Sequence, residues 1–529
     1  SLPRYAEQDY RPVAERMNAL ALPNDLVVLV HPWQVGFMQA YLRVPATLQM
    51  VADPAWGAAD QAQLDAALAA GQRVWLPAYH ALGAILESTM ETYLAHKALP
   101  VEAAWQQTTL LSFYAPRPPS LALDSGQAAT LGGLTLGALL KDPSHPAYAA
   151  GWGIVPVGFA ATATQNLKRS AHVSVRLEGP QGVVWAAQDR ELDTPQFVAT
   201  HAWQTGLLVP AGTPPSVYQL TLTLYDAETQ QPLGPALRVD DVSVVRPAAP
   251  PRLAALPIQT PLSAEWPDVR LLGYTLPGGA WRTGDALHAE LFWQARTATN
   301  PNVVTTLVVQ DANGQTLARS DGNQWPRQEP MQPGELRREQ REVVIPASLS
   351  AGTYRLALAR SRAGEDGREQ VALSTIVVVT RPHQFSAPPV AVPQDFRLGD
   401  VARLVGSDWT LDAKARTLRL RLSWRALNET QESYRVFVHV TRLDSPQPLA
   451  QHDGLPANGE HPTTTWVKGE YITDEHTLTL APDMAPGAYR VLVGLYLPRT
   501  GQRLPAFDSG GHEAPDDALE VATFELPAP

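Results

Sequence analysis

Thr417-Leu-Arg-Leu-Arg-Leu-Ser-Trp424 sets Leu418, Leu420, Leu422 and Trp424 on one side and Arg419, Arg421 and Ser423 on the other. Period-two alternation is what a strand with one buried face requires. Leu287, Ala289, Leu291 and Trp293 repeat the pattern upstream. Around these strands the same landmarks recur in the same order. A Leu/Val-Gly turn comes early, at Leu131-Gly132, Leu272-Gly273 and Val405-Gly406. A strand end carrying an acid follows, at Asp189, Asp321 and Asp453. A tyrosine then opens a late strand, at Tyr218, Tyr354 and Tyr489. In two of the three stretches Gly334-Glu335 and Gly469-Glu470 stand the same distance before that tyrosine. Preserved order and spacing argue for three diverged copies of one β-sandwich of immunoglobulin-like type.

Three proline-rich stretches separate the copies from each other and from what precedes them: Ala115–Ser120, Arg246–Arg252 and Arg381–Pro393. Such segments favour extended, semi-rigid backbone. They divide the chain into residues 1–117, 118–248, 249–384 and 385–529, each of ordinary domain size. The 48 prolines of the 529 residues suit short strands joined by turns, because proline is excluded from helix interiors and central strands.

Residues 1–117 read differently. Tyr10–Leu20 places Val13, Met17 and Leu20 on one helical face, and Leu26-Val-Val-Leu-Val30 is apolar on both faces, as a covered parallel strand is. Helices are expected over Gly36–Leu42, Asp60–Ala70 with Gly71 as its stop, and Leu86–His96; further strands over Arg73–Leu76 and Thr109–Tyr114. This alternation implies a small three-layer α/β domain. The whole chain is then multidomain α/β plus all-β: one α/β domain and three tandem sandwiches.

Net charge is −11, and only five of the 41 basic residues are lysines, with no Lys/Arg-rich run. Nucleic acid is therefore not an expected partner. Cysteine is absent, which removes disulfides and thiolate metal sites. No apolar run reaches the roughly 18–20 residues of a membrane span. The 13 histidines show no metal-ligand spacing, no nucleophile elbow or phosphate-binding loop is present, and no cofactor or metal is expected. Asp311-Ala-Asn-Gly314 reads as a turn before it reads as a calcium loop. Asp453 with Glu470 is the one carboxylate pair worth weighing for glycoside hydrolysis, but both positions recur between copies and so serve the fold first.

The repeated tyrosines suit a tyrosine corner, with the ring in the core and the hydroxyl on backbone. Trp203, Trp325 and Trp466 lie in polar segments, where an exposed indole could stack on a sugar; the alternative is an indole closing one end of a sandwich.

The first piece resembles the soluble C-terminal region of bacterial membrane glycosyltransferases related to protein O-mannosyltransferases and aminoarabinose transferases. The resemblance rests on Asp9-Tyr-Arg-Pro-Val13, Asn24-Asp-Leu-Val-Val-Leu29, His31-Pro-Trp33, Tyr41, Arg73-Val-Trp-Leu76 and Leu110–Tyr114. The sandwiches resemble tandem β modules appended to some of these enzymes, the third through Trp424, Phe437-Val-His439, Gln451-His-Asp453, Pro462–Trp466 and Pro486–Tyr489. The resemblance implies an extracytoplasmic piece tethered to an absent membrane segment, whose catalytic acids lie elsewhere in the parent enzyme. This chain alone is then inactive, and it positions or recognises a glycan or polypeptide acceptor. A cell-surface glycan-binding or adhesion protein is the second reading and an autonomous glycoside hydrolase the third.

Overall fold

The computed structural model describes residues 10–527 apart from 51–55, 81–84, 107, 126–128, 132–133, 145, 164–170, 193–200, 229–231, 235, 300–302, 321–328 and 363–368. Gly132, Asp321 and Trp325 lie outside the described residues. The protein is mostly sheet, with four α-helices among the described residues, all of them before residue 98. No described helix is long and apolar enough to cross a membrane. The chain divides into two compact units, one of residues 1–275, 291–301 and 324–339, the other of residues 276–290, 302–323 and 340–529.

The first unit opens with an α/β sheet. Its helices are α1 (Arg11–Leu20), α2 (Pro32–Tyr41), α3 (Ala58–Ala69) and α4 (Ile85–Lys97). Its strands are β1 (Leu26–Leu29), β2 (Thr47–Met50), β3 (Val74–Tyr79), β4 (Leu99–Gln106) and β5 (Thr109–Ala115), in the order β2-β1-β3-β5-β4. β1 runs parallel to β2 and β3, whereas β5 is antiparallel to both β3 and β4. Both faces of β1 are apolar because both are covered. Val27 and Leu29 join Val13, Met17 and Met38 in one core; Leu26 and Val28 join Leu64, Leu68, Met90 and Leu94 in another. At the sheet edge where β1 begins, buried Asp25 takes Arg73 through two contacts of 2.9 and 2.7 Å and the indole N–H of Trp75 at 2.8 Å. Removing either charge would leave the other buried and unpaired, so this pairing serves stability.

Residues 122–245 form two sheets. One runs His201–Leu208, Ile154–Ala163, Leu134–Lys141, Ala122–Asp124; the other runs Val184–Leu192, Ala171–Glu178, Ser216–Asp226, Leu237–Val245, Tyr148–Ala149. A single core takes Leu136, Leu139, Val157 and Phe159 from the first and Val173, Val175, Leu220 and Leu222 from the second. Thr205 donates to the Pro100 carbonyl (2.7 Å) and Gln188 to the Val101 carbonyl (2.5 Å), fastening this pair of sheets to β4.

In the second unit Ala280–Arg282, Glu369–Val379, Gly352–Arg362, Val303–Gln310 and Thr316–Arg319 make one sheet. Residues 392–526 make two more. Tyr471–Thr479, Thr417–Ala426, Ala402–Asp412, Val392–Leu398 and Ala506–Phe507 form the first; Pro448–Gly454, Arg435–Arg442, Gly487–Tyr496 and Leu519–Leu526 form the second. One core unites them through Leu418, Leu420, Leu422 and Trp424 on one side and Val436, Val438, Val440 and Val491 on the other. The alternation of 417–424 thus feeds directly into a core. A further sheet runs Thr260–Glu265, Val269–Thr275, Ala286–Ala295, Leu336–Val344.

Candidate functional site

In an open α/β sheet, ligands bind beyond the carboxyl ends of the parallel strands, where successive connections leave toward opposite faces. Here that point lies between β1 and β3. α2, which leads from β1 to β2, packs into one core; α3, which leads from β2 to β3, packs into the other.

Aromatic side chains collect at this edge. His31 and Trp33 follow β1, and Tyr79 ends β3. The His31 ring stacks on Trp33 at 5.6 Å, and Tyr79 meets Trp33 edge-on at 5.6 Å and His31 at 5.9 Å. Tyr10 and Phe37 extend the group, each within about a ring's width of the next (5.0 Å from Tyr10 to Trp33, 5.2 Å from Tyr10 to Phe37). Buried Gln34 fixes the loop. Its carbonyl accepts the Val30 and His31 N–H groups, both at 2.9 Å, and its amide donates to the Tyr10 hydroxyl (2.9 Å) and the Pro77 carbonyl (2.8 Å). One residue on, His80 lies 3.1 Å from the Glu91 carboxylate and 5.2 Å, centre to centre, from the ring of Trp105 near the end of β4. Trp105 is 59% exposed, an uncommon state for so large an apolar side chain.

This edge is built for rings rather than for phosphate. Pro32 opens α2 and has no N–H to offer, and the Val30 and His31 N–H groups are already taken by Gln34. Flat apolar faces beside a carboxylate and an imidazole suit a ligand with C–H faces and hydroxyl groups.

The residues singled out in the sequence fall elsewhere. Trp466 is fully buried in the core of residues 398–526, and its indole N–H donates to the His461 carbonyl at 2.9 Å. No face of the ring is open, so Trp466 is a core residue and not a sugar platform. Its polar flank misleads because the threonines beside it are buried with their hydroxyls satisfied: Thr463 on the Glu432 carbonyl (2.6 Å) and Thr465 on the Pro462 carbonyl (2.8 Å). Trp203 is half-buried and stacks on Phe159 at 5.3 Å, packed against the core of residues 136–244.

The three tyrosines share one arrangement. Tyr218, Tyr354 and Tyr489 each donate to the carbonyl four residues upstream, Pro214 (2.8 Å), Ser350 (2.9 Å) and Ala485 (2.5 Å). Asp189 is exposed on its strand. Asp453 faces outward beside His439 at 3.5 Å. Partial burial pushes its carboxyl up, but His439, with help from Tyr496 and His452, holds it below the usual carboxylate range. Glu470, by contrast, is buried in a turn, where it accepts the Val467 N–H (3.0 Å) and faces His383 (3.0 Å). Asp453 and Glu470 are engaged with different partners. Asp311 accepts the N–H groups of Asn313 and Gln315, as a turn residue does. Among the described residues, no group of three or more His, Asp or Glu is placed to hold a metal ion.

Reading along the sequence picks out His31-Pro-Trp33 by resemblance but misses Tyr79, His80, Glu91 and Trp105. The available signal was position: His31 and His80 directly follow the two strands flanking the switch point.

No family model and no curated protein matches the chain. Among solved structures, it is similar to dimeric latent PorU from Porphyromonas gingivalis over 79% of this chain and 35% of that one, at 11% identity and a TM-score of 0.21. A red sea bream transglutaminase matches 50% of this chain and 32% of its own, at 11% identity and a TM-score of 0.15. The chain spans about a third of the length of each. The sheets and helices define a multidomain, sheet-rich protein with one α/β sheet at its start.

Proposed function

We propose that this chain is a non-catalytic, extracytoplasmic accessory region of a membrane glycosyltransferase, and that the ring-lined edge of its α/β sheet recognises a neutral saccharide on the acceptor or growing glycan. The exposed indole of Trp105 against the His80–Glu91 pair is the observation that carries the reading. An indole face stacks on the C–H face of a pyranose, and the carboxylate and imidazole meet its hydroxyls. The blocked N-terminus of α2 favours an uncharged sugar over a sugar nucleotide. Residues 118–248, 249–384 and 385–529 are, in this reading, tandem immunoglobulin-like sandwiches that hold the recognition edge away from the membrane. The three matching tyrosine-to-carbonyl bonds support it.

Titrating the full chain with neutral oligosaccharides while following tryptophan fluorescence tests the site. We expect saturable quenching in the wild type and at least tenfold weaker binding for Trp105→Ala, since losing a buried aromatic stack costs on the order of 1.5 kcal/mol. Equal binding by the variant rejects the edge as the site. A gene with no multi-spanning apolar segment upstream of Ser1 rejects the glycosyltransferase parent and leaves a surface glycan-binding protein.

A further inference from the structure

Two histidines 24 residues apart meet where the two sheets of residues 392–526 come together at one side. His452 is on the edge strand Pro448–Gly454 of one sheet and His476 on the edge strand Tyr471–Thr479 of the other. Their Nδ1 atoms are 2.9 Å apart. On its far side, buried His476 places Nε2 2.9 Å from Asp474 Oδ2. Asp474 is itself buried and held by the Ala457 N–H (2.9 Å) and the Trp424 indole N–H (3.3 Å).

The positions of the protons follow from this chain of partners. An ionised carboxylate only accepts, so His476 carries hydrogen on Nε2. A neutral His476 then accepts at Nδ1, and His452 donates. One added proton is tolerated, because a single Nδ1–H still bridges the two rings and the facing Nδ1 keeps its lone pair. A second proton is not. Both Nδ1 atoms would then carry hydrogen and point at each other, with two cations in a seam whose neighbouring inward positions are Leu420, Leu422, Val438 and Val440. We propose that His452 and His476 form an acid-sensitive clasp between the two sheets, and that a second proton opens it and loosens the crossover 455–470.

The groups facing the pair set the direction. Burial, then His476, holds the His452 imidazole below its ordinary range, against the opposing pull of Asp474 and Asp453. The short helical turn Pro456–Gly459 packed on Tyr471–Thr479 contributes no titratable side chain. A base whose folded pKa lies below its unfolded one, about 6.5 for histidine, binds more protons when unfolded. Its stabilising contribution is complete above the unfolded value and is lost as pH falls toward and through the folded one.

The crossover that the clasp would free carries several of this unit's contacts to earlier residues. Thr464 donates to the Gly284 carbonyl at 2.8 Å, and the Tyr471 N–H to the Gln384 carbonyl at 2.7 Å. Gly284, at φ 83°, sits so close that a Cβ there would lie 2.6 Å from Thr465 Cα. Acidification of the clasp therefore acts on the seat of residues 283–285 and 381–384.

Amide hydrogen exchange on the full chain between pH 7.5 and 5, corrected for intrinsic exchange, tests this. Protection across 455–470 is expected to fall by up to about tenfold per pH unit in the wild type, the limit for one proton. It should stay level in His452→Gln, whose neutral amide can still face His476. An equal fall in the variant overturns the proposal. Histidine-selective 15N spectra of the wild type give a reading that needs no variant. One shared Nδ1 proton at pH 7.5 supports the clasp; two imidazoles titrating independently in the ordinary range overturn it.

Discussion

The turns at Gln332–Glu335 and Val467–Glu470 share their backbone hydrogen bonds but meet different cations. In each, the glutamate N–H returns to the first residue of the turn (2.9 and 3.0 Å), and glycine holds a left-handed conformation in the third position, φ 82° at Gly334 and 87° at Gly469. Each glycine N–H reaches the strand ahead of it, at Ala295 (2.8 Å) and Ala426 (2.9 Å), and each glutamate carboxylate accepts the first N–H of its own turn. In each turn one cation comes from the start of the preceding proline-rich stretch. Arg246 meets Glu335 at 2.7 Å and Arg337 adds a second contact at 2.5 Å, whereas Glu470 meets His383. The tryptophan of each preceding strand also meets an acid. Trp293 donates to Glu339 (2.8 Å); Trp424 donates to Asp474, which also holds His476. The two turns share a backbone frame, and the arginines beside Glu335 are matched by a histidine beside Glu470.

Neutralising the two glutamates should break the likeness most. Glu335→Gln leaves Arg337 buried without its carboxylate, and we expect a loss of about 3–5 kcal/mol in denaturant unfolding. Glu470→Gln faces only a histidine that can shed its proton, and should lose about 1–3 kcal/mol. Equal losses would show that the cation's identity is immaterial. Trp293→Phe and Trp424→Phe each remove one N–H from a buried acid while keeping most of the ring. A loss of about 1–2 kcal/mol is expected for each, with only Trp424→Phe altering the exchange of 455–470 with pH. The tyrosine corners should give the smallest effects. Tyr218→Phe and Tyr489→Phe, both buried, should cost about 1 kcal/mol, and half-exposed Tyr354→Phe less, read as shifts in melting temperature.

How much of this could be read in advance depended on distance along the chain. Local signals were legible. The alternation of Leu418 to Trp424, the doubly apolar run at Leu26 and the glycine that each Gly-Glu turn requires all act within a few residues. β2 and β4 were not. Thr47–Met50 alternates polar and apolar over four residues only, too short a run to announce a strand, and Leu99–Gln106 carries a proline in second place and pairs antiparallel with β5. The burial of Trp466 was hidden because its threonines find carbonyls in other segments. The meeting of His452 with His476 was hidden because it exists only once two sheets have come together.

Arg338 lies buried beneath the ring of Trp185 and donates to that residue's carbonyl, 153 positions earlier in the chain. A cation that can be accommodated only on a surface already assembled gives folding a direction. During synthesis residue 185 leaves the ribosome long before residue 338, so the receiving surface can form before its guest arrives.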